Sequence, residues 1–250
     1  MPEPVAIIGA PASPYVRKVL AALEIKGISY TLDPVVPFYG NDEFTRLSPL
    51  RRIPVLVDGD LVLPDSTVIC EYLEDRHPTP PLLPRGPAAR AHARWLEEFA
   101  DTRMGDVFIW SLFSPAVSTP GIFNTERDEA AFARVVAEDL PPVMNLLEAE
   151  APDDGFLTGT VSTADLSIAV HFANLRWARV GADLSAWPRT QAWVARTEQA
   201  TPLGRITAFG ERFLTTRFPD RPALFAEFGI PMAPTTLAGR VPRRGPMSVV

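Results

Sequence analysis

A chain of 250 residues can bury a sizeable core and divides into two modest domains more often than it forms one. With 46% hydrophobic and 22% charged residues it has the makeup of a folded globule, and its net charge of −6 argues against a nucleic-acid or anionic-membrane partner. Cys70 is the single cysteine, which excludes an intrachain disulfide, leaves a thiolate metal site without its other sulfurs and fits a reducing compartment.

The N-terminus, MPEPVAIIGAPASPY, carries Glu3 and an early proline where an export signal has a basic segment, and its apolar run is short. No stretch approaches about 18 continuous apolar residues, so no membrane span is expected and the chain is read as cytoplasmic. His77, His92 and His171 show no ligand spacing, and no metal is expected.

Val5-Ala-Ile-Ile8, ending at Gly9, reads as a buried strand. Ser13-Pro14 then opens a helix, because Ser is a good N-cap and Pro suits the first helical position. Val16, Val19, Leu20 and Leu23 follow at one-face spacing, and Gly27 supplies the stop. Ile28 to Leu32 alternates as a second strand, while Phe38 to Leu47 suggests a short irregular helix. Ile53-Pro-Val-Leu-Val-Asp-Gly-Asp-Leu-Val-Leu63 is a hairpin about Asp58-Gly59, followed by a helix from Ser66 to Arg76 that His77-Pro78 ends. The first two strands, joined by a crossover helix, should be parallel, and the last two antiparallel.

Residues 79–87 form a Pro-rich linker and mark a boundary between a first domain, 1–78, and a helical domain, 88–217. The second domain should hold a long helix from Ala88 to Phe113 and another through Phe132 and Leu147 that Pro141-Pro142 should break or kink. A capping box at Ser162-Thr-Ala-Asp165 and a short helix opened by Trp187-Pro188 complete it. Residues 218–250, rich in Pro, Arg and Gly, read as a tail with little regular structure.

The hairpin poses the functional question, because Pro54 opens its first strand without an amide to donate. A cis Ile53-Pro54 link would aim the Ile53 amide and carbonyl outward, where a peptide can dock as a short extra strand. Ser66 stands near a helix N-terminus that can receive a carboxylate, Asp65 can pair with an ammonium, and Arg52 can meet a second carboxylate. An ammonium and two carboxylates with peptide backbone between them describe glutathione. Capping alone also accounts for Asp65 and Ser66, an edge-strand proline for Pro54, and a solvated surface role for Arg52.

Ser13-Pro-Tyr-Val-Arg-Lys18, Leu47-Ser-Pro-Leu-Arg-Arg-Ile-Pro54 and Asp65-Ser66 leading into Ile69-Cys-Glu-Tyr-Leu73 together resemble the glutathione S-transferase superfamily. Ser162-Thr-Ala-Asp165 and Trp187-Pro188 extend the resemblance into the helical domain, so that it covers about residues 5–200. It implies a thioredoxin-like α/β first domain (βαβ-α-ββα, mixed sheet) followed by an all-α bundle. It implies further that Ile53 pairs with the cysteinyl backbone of glutathione, that Asp65 and Ser66 hold the γ-glutamyl end, and that Arg52 assists the glycyl carboxylate. Ser48 and Arg51 depart from the family's usual Asn and Gly, which leaves the loop geometry open.

Only the thiolate of glutathione is a good nucleophile, and a hydroxyl at a positive helix end favours it by hydrogen bond and dipole together. Ser13 occupies that N-cap, where a pure capping role is the alternative and Tyr15 and backbone amides are rival donors. Omega-like members carry a cysteine at this place and act as thiol reductases; with Ser13 there and Cys70 inside a helix, thiol–disulfide exchange lacks its nucleophile. Conjugation, thiolytic displacement or glutathione-assisted isomerisation remain, and the run from Ser13 to Val16 is similar to bacterial β-aryl etherase-like members. The electrophile is expected beside the sulfur, between the domains, against Tyr15, Phe38, Tyr39, Phe108, Trp110 and Phe113.

The reading is therefore a glutathione transferase with glutathione as co-substrate and a hydrophobic electrophile as its second substrate. The alternatives are a non-catalytic glutathione-binding protein or a thiol–disulfide reductase. The family resemblance implies a homodimer and a role in detoxification.

Overall fold

The structure, a computed structural model, describes residues 4–243. It divides into two compact units, Met1–Pro80 with Pro202–Val250, and Pro81–Thr201.

In the first unit the run Val5–Ile8 forms β1, buried on both sides as its unbroken apolar character requires. Helix α1 (Pro14–Ile25) crosses over to β2 (Tyr30–Asp33), which pairs parallel to β1 with Val5 opposite Tyr30. A turn at Pro37–Tyr39 and helix α2 (Asp42–Leu47), capped by Asn41, lead to β3 (Val55–Asp58), antiparallel to β1 with Ile8 opposite Val55. The Asp58-Gly59 turn brings β4 (Leu61–Leu63) back against β3, and α3 (Ser66–Arg76) packs beside α1. The strand order β2-β1-β3-β4 in one mixed sheet is the thioredoxin-like arrangement.

The same unit takes in the end of the chain, which differs from the expected division. The following helix, α10 (numbered with the helices below), spans Leu203–Thr215 and packs on α1 rather than in the helical unit. Arg205 pairs with Glu24, whose other oxygen accepts a 2.8 Å bond from the Tyr30 hydroxyl. Helix α11 (Arg221–Phe228) closes on α10 through an edge-to-face pair, Phe209 with Phe225, at 5.0 Å. Residues 231–243 then return to the free edge of β2, where Leu32 bridges Met232, and run on to the turn after it, where Gly40 bridges Ala238. The tail expected over residues 218–250 is thus an ordered part of the first unit as far as Arg243, and its last seven residues lie outside the described ones. The bonds of residues 231–243 are made to residues about 200 positions away, which local composition does not register.

The second unit is all helical. Helix α4 (Pro87–Phe99) continues without interruption through wider turns over Ala100–Ser118, where Pro115 lacks an amide to bond, into α5 (Thr119–Phe123). It therefore extends beyond the expected end at Phe113. Asp128 caps α6 (Glu129–Arg134), wider turns at Val135–Asp139 follow, and α7 (Leu140–Glu150) holds Pro141 and Pro142 in its first turn. Helix α8 (Thr163–Trp177), buried along almost its full length, is the axis of the unit, and α9 (Pro188–Ala200) packs against it. The buried Asp165 carboxylate accepts from the Ser162 amide (2.8 Å) and hydroxyl (2.6 Å), from the Leu157 amide (3.1 Å) and from Trp193 Nε1 (2.7 Å). One carboxylate thereby joins α8, its entry loop and α9. Among the described residues no helix is long and apolar enough to cross a membrane.

Candidate functional site

The first element of the site is the start of α1. Backbone bonds from Gly9 to Asp33 and from Ala10 to Val35, both 2.8 Å, carry the end of β1 past β2, and the Ser13 amide turns back onto Ala10 at 3.0 Å. The fully buried Arg17 donates to the carbonyls of Pro11 (2.8 Å) and Ala12 (2.9 Å) and so fixes the turn that presents Ser13. Ser13 is half-buried, and its oxygen lies 3.5 Å from the Val16 amide, the outer limit for a capping bond. Its hydroxyl hydrogen, and most of its acceptor capacity, remain for another partner.

The second element is the loop that enters β3. Ser48, fully buried, donates to the Arg52 carbonyl at 2.8 Å and accepts from the Arg52 amide at 2.9 Å, closing residues 48–52 into a ring. Between them Arg51 adopts a left-handed backbone, φ 54°, and turns its side chain inward. Its guanidinium donates to Thr45 Oγ1, to the Pro37 carbonyl (2.8 Å) and to the Gly40 carbonyl (2.9 Å), and lies over the Phe44 ring at 5.5 Å. Burial lowers its pKa from the ordinary arginine value, without bringing neutral arginine into play. Arg52, its neighbour, is exposed. The Ile53–Pro54 peptide is cis. The ladder begins only at Val55, and among the described residues no group of the protein engages the Ile53 amide or carbonyl.

Gly9 joins these two elements. A Cβ there would lie 2.6 Å from Val16 Cγ2 and 3.0 Å from Ile53 Cβ, at φ +154°, so only glycine lets Ile53 approach the first turn of α1 this closely.

The third element is the start of α3. Asp65 is its N-cap, with Oδ1 accepting from the Thr67 (2.9 Å) and Val68 (3.0 Å) amides. One oxygen of this exposed carboxylate makes both capping bonds and leaves the other for a cation. Ser66, the first helical residue, is buried at the same helix end. Lys18, fully buried on α1, donates to Thr67 Oγ1 at 3.1 Å and ties the first turn of α3 to α1. The structure therefore assembles Ser13, Arg52, Ile53, Pro54, Asp65 and Ser66 on elements of one unit.

The aromatic residues expected around an electrophile are distributed differently. Tyr15 and Tyr39 are half-buried in the first unit, whereas Phe38 is buried and its carbonyl accepts from the Arg243 amide at 2.7 Å. In the helical unit Phe108 is fully buried, packed edge-on against Phe172 at 5.5 Å, and Phe113 is buried against Trp177 at 6.2 Å. Both are core side chains where pocket lining was expected, because helical periodicity identifies an apolar face and not what covers it. Trp110 is half-buried.

Cys70 is buried inside α3. His92 pairs with Glu150 at 2.8 Å, and His171 Nδ1 bonds the Ser167 carbonyl at 2.7 Å. Among the described residues no cluster of His, Cys, Asp and Glu is arranged to hold a metal ion. Sequence reasoning missed Arg17, Ser48 and Arg51 as the residues that shape the site. The signal for Arg17 was a cation four residues after the N-cap, on the buried side of an apolar stripe; Ser48 and Arg51 gave none beyond their departure from the family pattern.

Residues 7–81 match the family described as glutathione S-transferase, N-terminal domain. The uncharacterized GST-like protein YibF of Escherichia coli (strain K12) is 30% identical over 178 residues, covering 70% of this chain and 83% of that protein. The chain belongs to the glutathione S-transferase superfamily. The stringent starvation protein A homolog of Haemophilus ducreyi is 42% identical over 80 residues, a match that spans 32% of this chain and only 37% of that one. Among solved structures, the theta class glutathione S-transferase of Xanthomonas axonopodis pv. citri with glutathione bound superposes with a TM-score of 0.68 at 29% identity, covering 87% of this chain and 99% of the other. The mixed sheet and helical unit of this superfamily member are thus shared with a structure that holds glutathione.

Proposed function

We propose that the protein is a cytoplasmic glutathione transferase, active as a homodimer, that delivers the glutathione thiolate to a hydrophobic electrophile. One observation carries the reading: the free main-chain groups of Ile53, the Ser13-capped start of α1 and the Asp65-Ser66 start of α3 are held together in one unit. The cysteinyl backbone of glutathione pairs with Ile53 as a short added strand. The α-carboxylate of the γ-glutamyl end meets the Ser66 amide at the positive end of α3, and its ammonium meets the second oxygen of Asp65. Arg52, exposed at the rim, faces the glycyl carboxylate. The shared fold with a theta class glutathione S-transferase solved with glutathione bound supports glutathione as the ligand.

In this placement the sulfur lies at Ser13, whose hydroxyl donates to the thiolate while the α1 dipole adds to the stabilisation. The bound thiol releases its proton to water, and the thiolate attacks an electrophilic carbon to form a C–S bond. A halide or aryl oxide then departs with the bonding pair, or, with an enone, the α-carbon takes a proton from water. Ser13 accepts no bond to carbon or sulfur at any step.

Turnover of glutathione with halo-aromatics, enones, epoxides and aryl ethers tests the reading. The wild type is expected to turn over at least one class, and Ser13→Ala to lose about 10²-fold in kcat with KM for glutathione nearly unchanged, the scale of removing one preorganised donor. Glutathione binding without turnover of any class would point to a non-catalytic binding protein instead.

A further inference from the structure

The segment 231–243 occupies the outer edge of the sheet in register with the chain ahead of the candidate site. The Pro231 carbonyl accepts from the Leu32 amide at 2.8 Å, and the Ala233 amide donates to the Leu32 carbonyl at 2.9 Å. The buried Asp33 carboxylate at the end of β2 accepts from the Thr236 hydroxyl and the Leu237 amide, both at 2.7 Å. Beyond it the segment takes up the polar groups of the turn at 38–41: the Leu237 carbonyl accepts from the Asn41 amide (2.8 Å), the Gly239 amide donates to Tyr39, and the Arg243 amide donates to Phe38 (2.7 Å). The Gly40 carbonyl accepts from two arginines, Arg243 at 3.3 Å and Arg51 at 2.9 Å. Leu237 and Ala238 pack on the same apolar cluster (Ile8, Val35, Phe44, Val55) as Ile53.

We propose that residues 231–243 are a positioning element of the glutathione site, setting the Arg52-Ile53 peptide through the shared Gly40 carbonyl and Arg51 on one side and through the apolar cluster beneath Ile53 on the other. Neither route needs the segment to touch the ligand. Gly40 is the pivot: a Cβ there would lie 2.0 Å from the Phe44 ring, so the turn packs directly on the ring that Arg51 covers. Without the segment, the Phe38 and Tyr39 carbonyls lose the amides of Arg243 and Gly239, the Gly40 carbonyl keeps Arg51 but loses Arg243, and Arg51 is left anchored to a turn with no outer wall.

This inference takes its readout from the glutathione-binding reading, and the test separates the two. Calorimetry with glutathione is run on the wild type, Asp33→Ala, Asp33→Asn and Leu237→Ala, with Arg212→Ala, which breaks the surface pair with Glu227 in the same unit, as a matched control. Asp33→Ala removes the acceptor of two buried donors and should raise the Kd for glutathione about tenfold. Asp33→Asn, able to accept from Leu237 and donate to Thr236, should stay within about twofold of the wild type, as should Arg212→Ala. By reciprocity, glutathione should slow hydrogen exchange at the amides of Leu237, Gly239 and Arg243 in the wild type, a measurement that needs no variant to fold. Wild-type binding with unchanged exchange at these amides, or with Asp33→Ala and Leu237→Ala at wild-type affinity, overturns the positioning role alone. Absence of wild-type binding overturns the functional reading, and this inference with it.

Discussion

Ser48→Ala probes the loop geometry that the whole site depends on. The Ser48 hydroxyl is fully buried and makes two bonds, 2.8 Å to the Arg52 carbonyl and 2.9 Å from the Arg52 amide. Alanine fits the space and removes both. At about 0.5–1.5 kcal/mol for each bond, the expected loss is about 1–3 kcal/mol, nearer the upper figure if the Arg52 groups are left unpaired. The destabilisation should appear as a lower urea midpoint at unchanged slope, and the Arg52 amide should change from slow to fast hydrogen exchange. Affinity for glutathione should fall in parallel, since the freed loop leads directly into Ile53. A Ser48→Ala protein with the wild-type midpoint and a still-protected Arg52 amide would refute the claim that this hydroxyl holds the loop.

Gly9→Ala places a methyl 2.6 Å from Val16 Cγ2 and 3.0 Å from Ile53 Cβ, and should cost about 1–3 kcal/mol in thermal unfolding while weakening glutathione binding through the displacement of Ile53. Burial raises the pKa of Asp33 above its ordinary value of 3.8, with the bonds from Leu237 and Thr236 opposing it. A raised folded-state value means that proton-linked stability is present below 3.8 and lost as pH rises through the folded value, so the ionised carboxylate costs stability at neutral pH. Asp33→Asn should therefore be stabilising relative to the wild type at neutral pH, with the difference shrinking on acidification in paired urea titrations. Trp193→Phe removes the 2.7 Å donor to the buried Asp165 and should lower the stability of the helical unit by about 1.5–3 kcal/mol, read by circular dichroism melts.

The parts of the fold that could be read from sequence are those specified by neighbouring residues. The apolar run at Val5–Ile8, the Ser13-Pro14 helix start, the Asp58-Gly59 turn and the Ser162–Asp165 capping box each carry their own local signal, and each forms where it was expected. The ambiguous stretch after Phe38 resolves into a tight turn and a short helix because the Asn41 side chain caps the latter, accepting from Phe44 at 2.9 Å. What escaped was set by distant partners. Arg51 reads only as a departure from the family's glycine until its carbonyl acceptors at 37 and 40 are known, and Thr236 and Leu237 read as tail until Asp33 is placed opposite them. Phe108 and Phe113 fit an apolar pocket as well as a core, and only Phe172 and Trp177 across from them distinguish the two. The candidate binding groups were legible because they belong to a linear pattern; the residues that hold those groups in place were not.

The central claim is that Ser13 and the start of α1 stabilise the sulfur of bound glutathione as its thiolate. Ultraviolet thiolate absorbance, titrated against pH with saturating glutathione in the wild type and in Ser13→Ala, tests it most directly. The account predicts a bound-thiol pKa well below the ordinary thiol value of about 8.5 in the wild type, moving back toward it in Ser13→Ala at nearly unchanged affinity. Bound glutathione that titrates like the free thiol in the wild type, or identically in the two proteins, would contradict it.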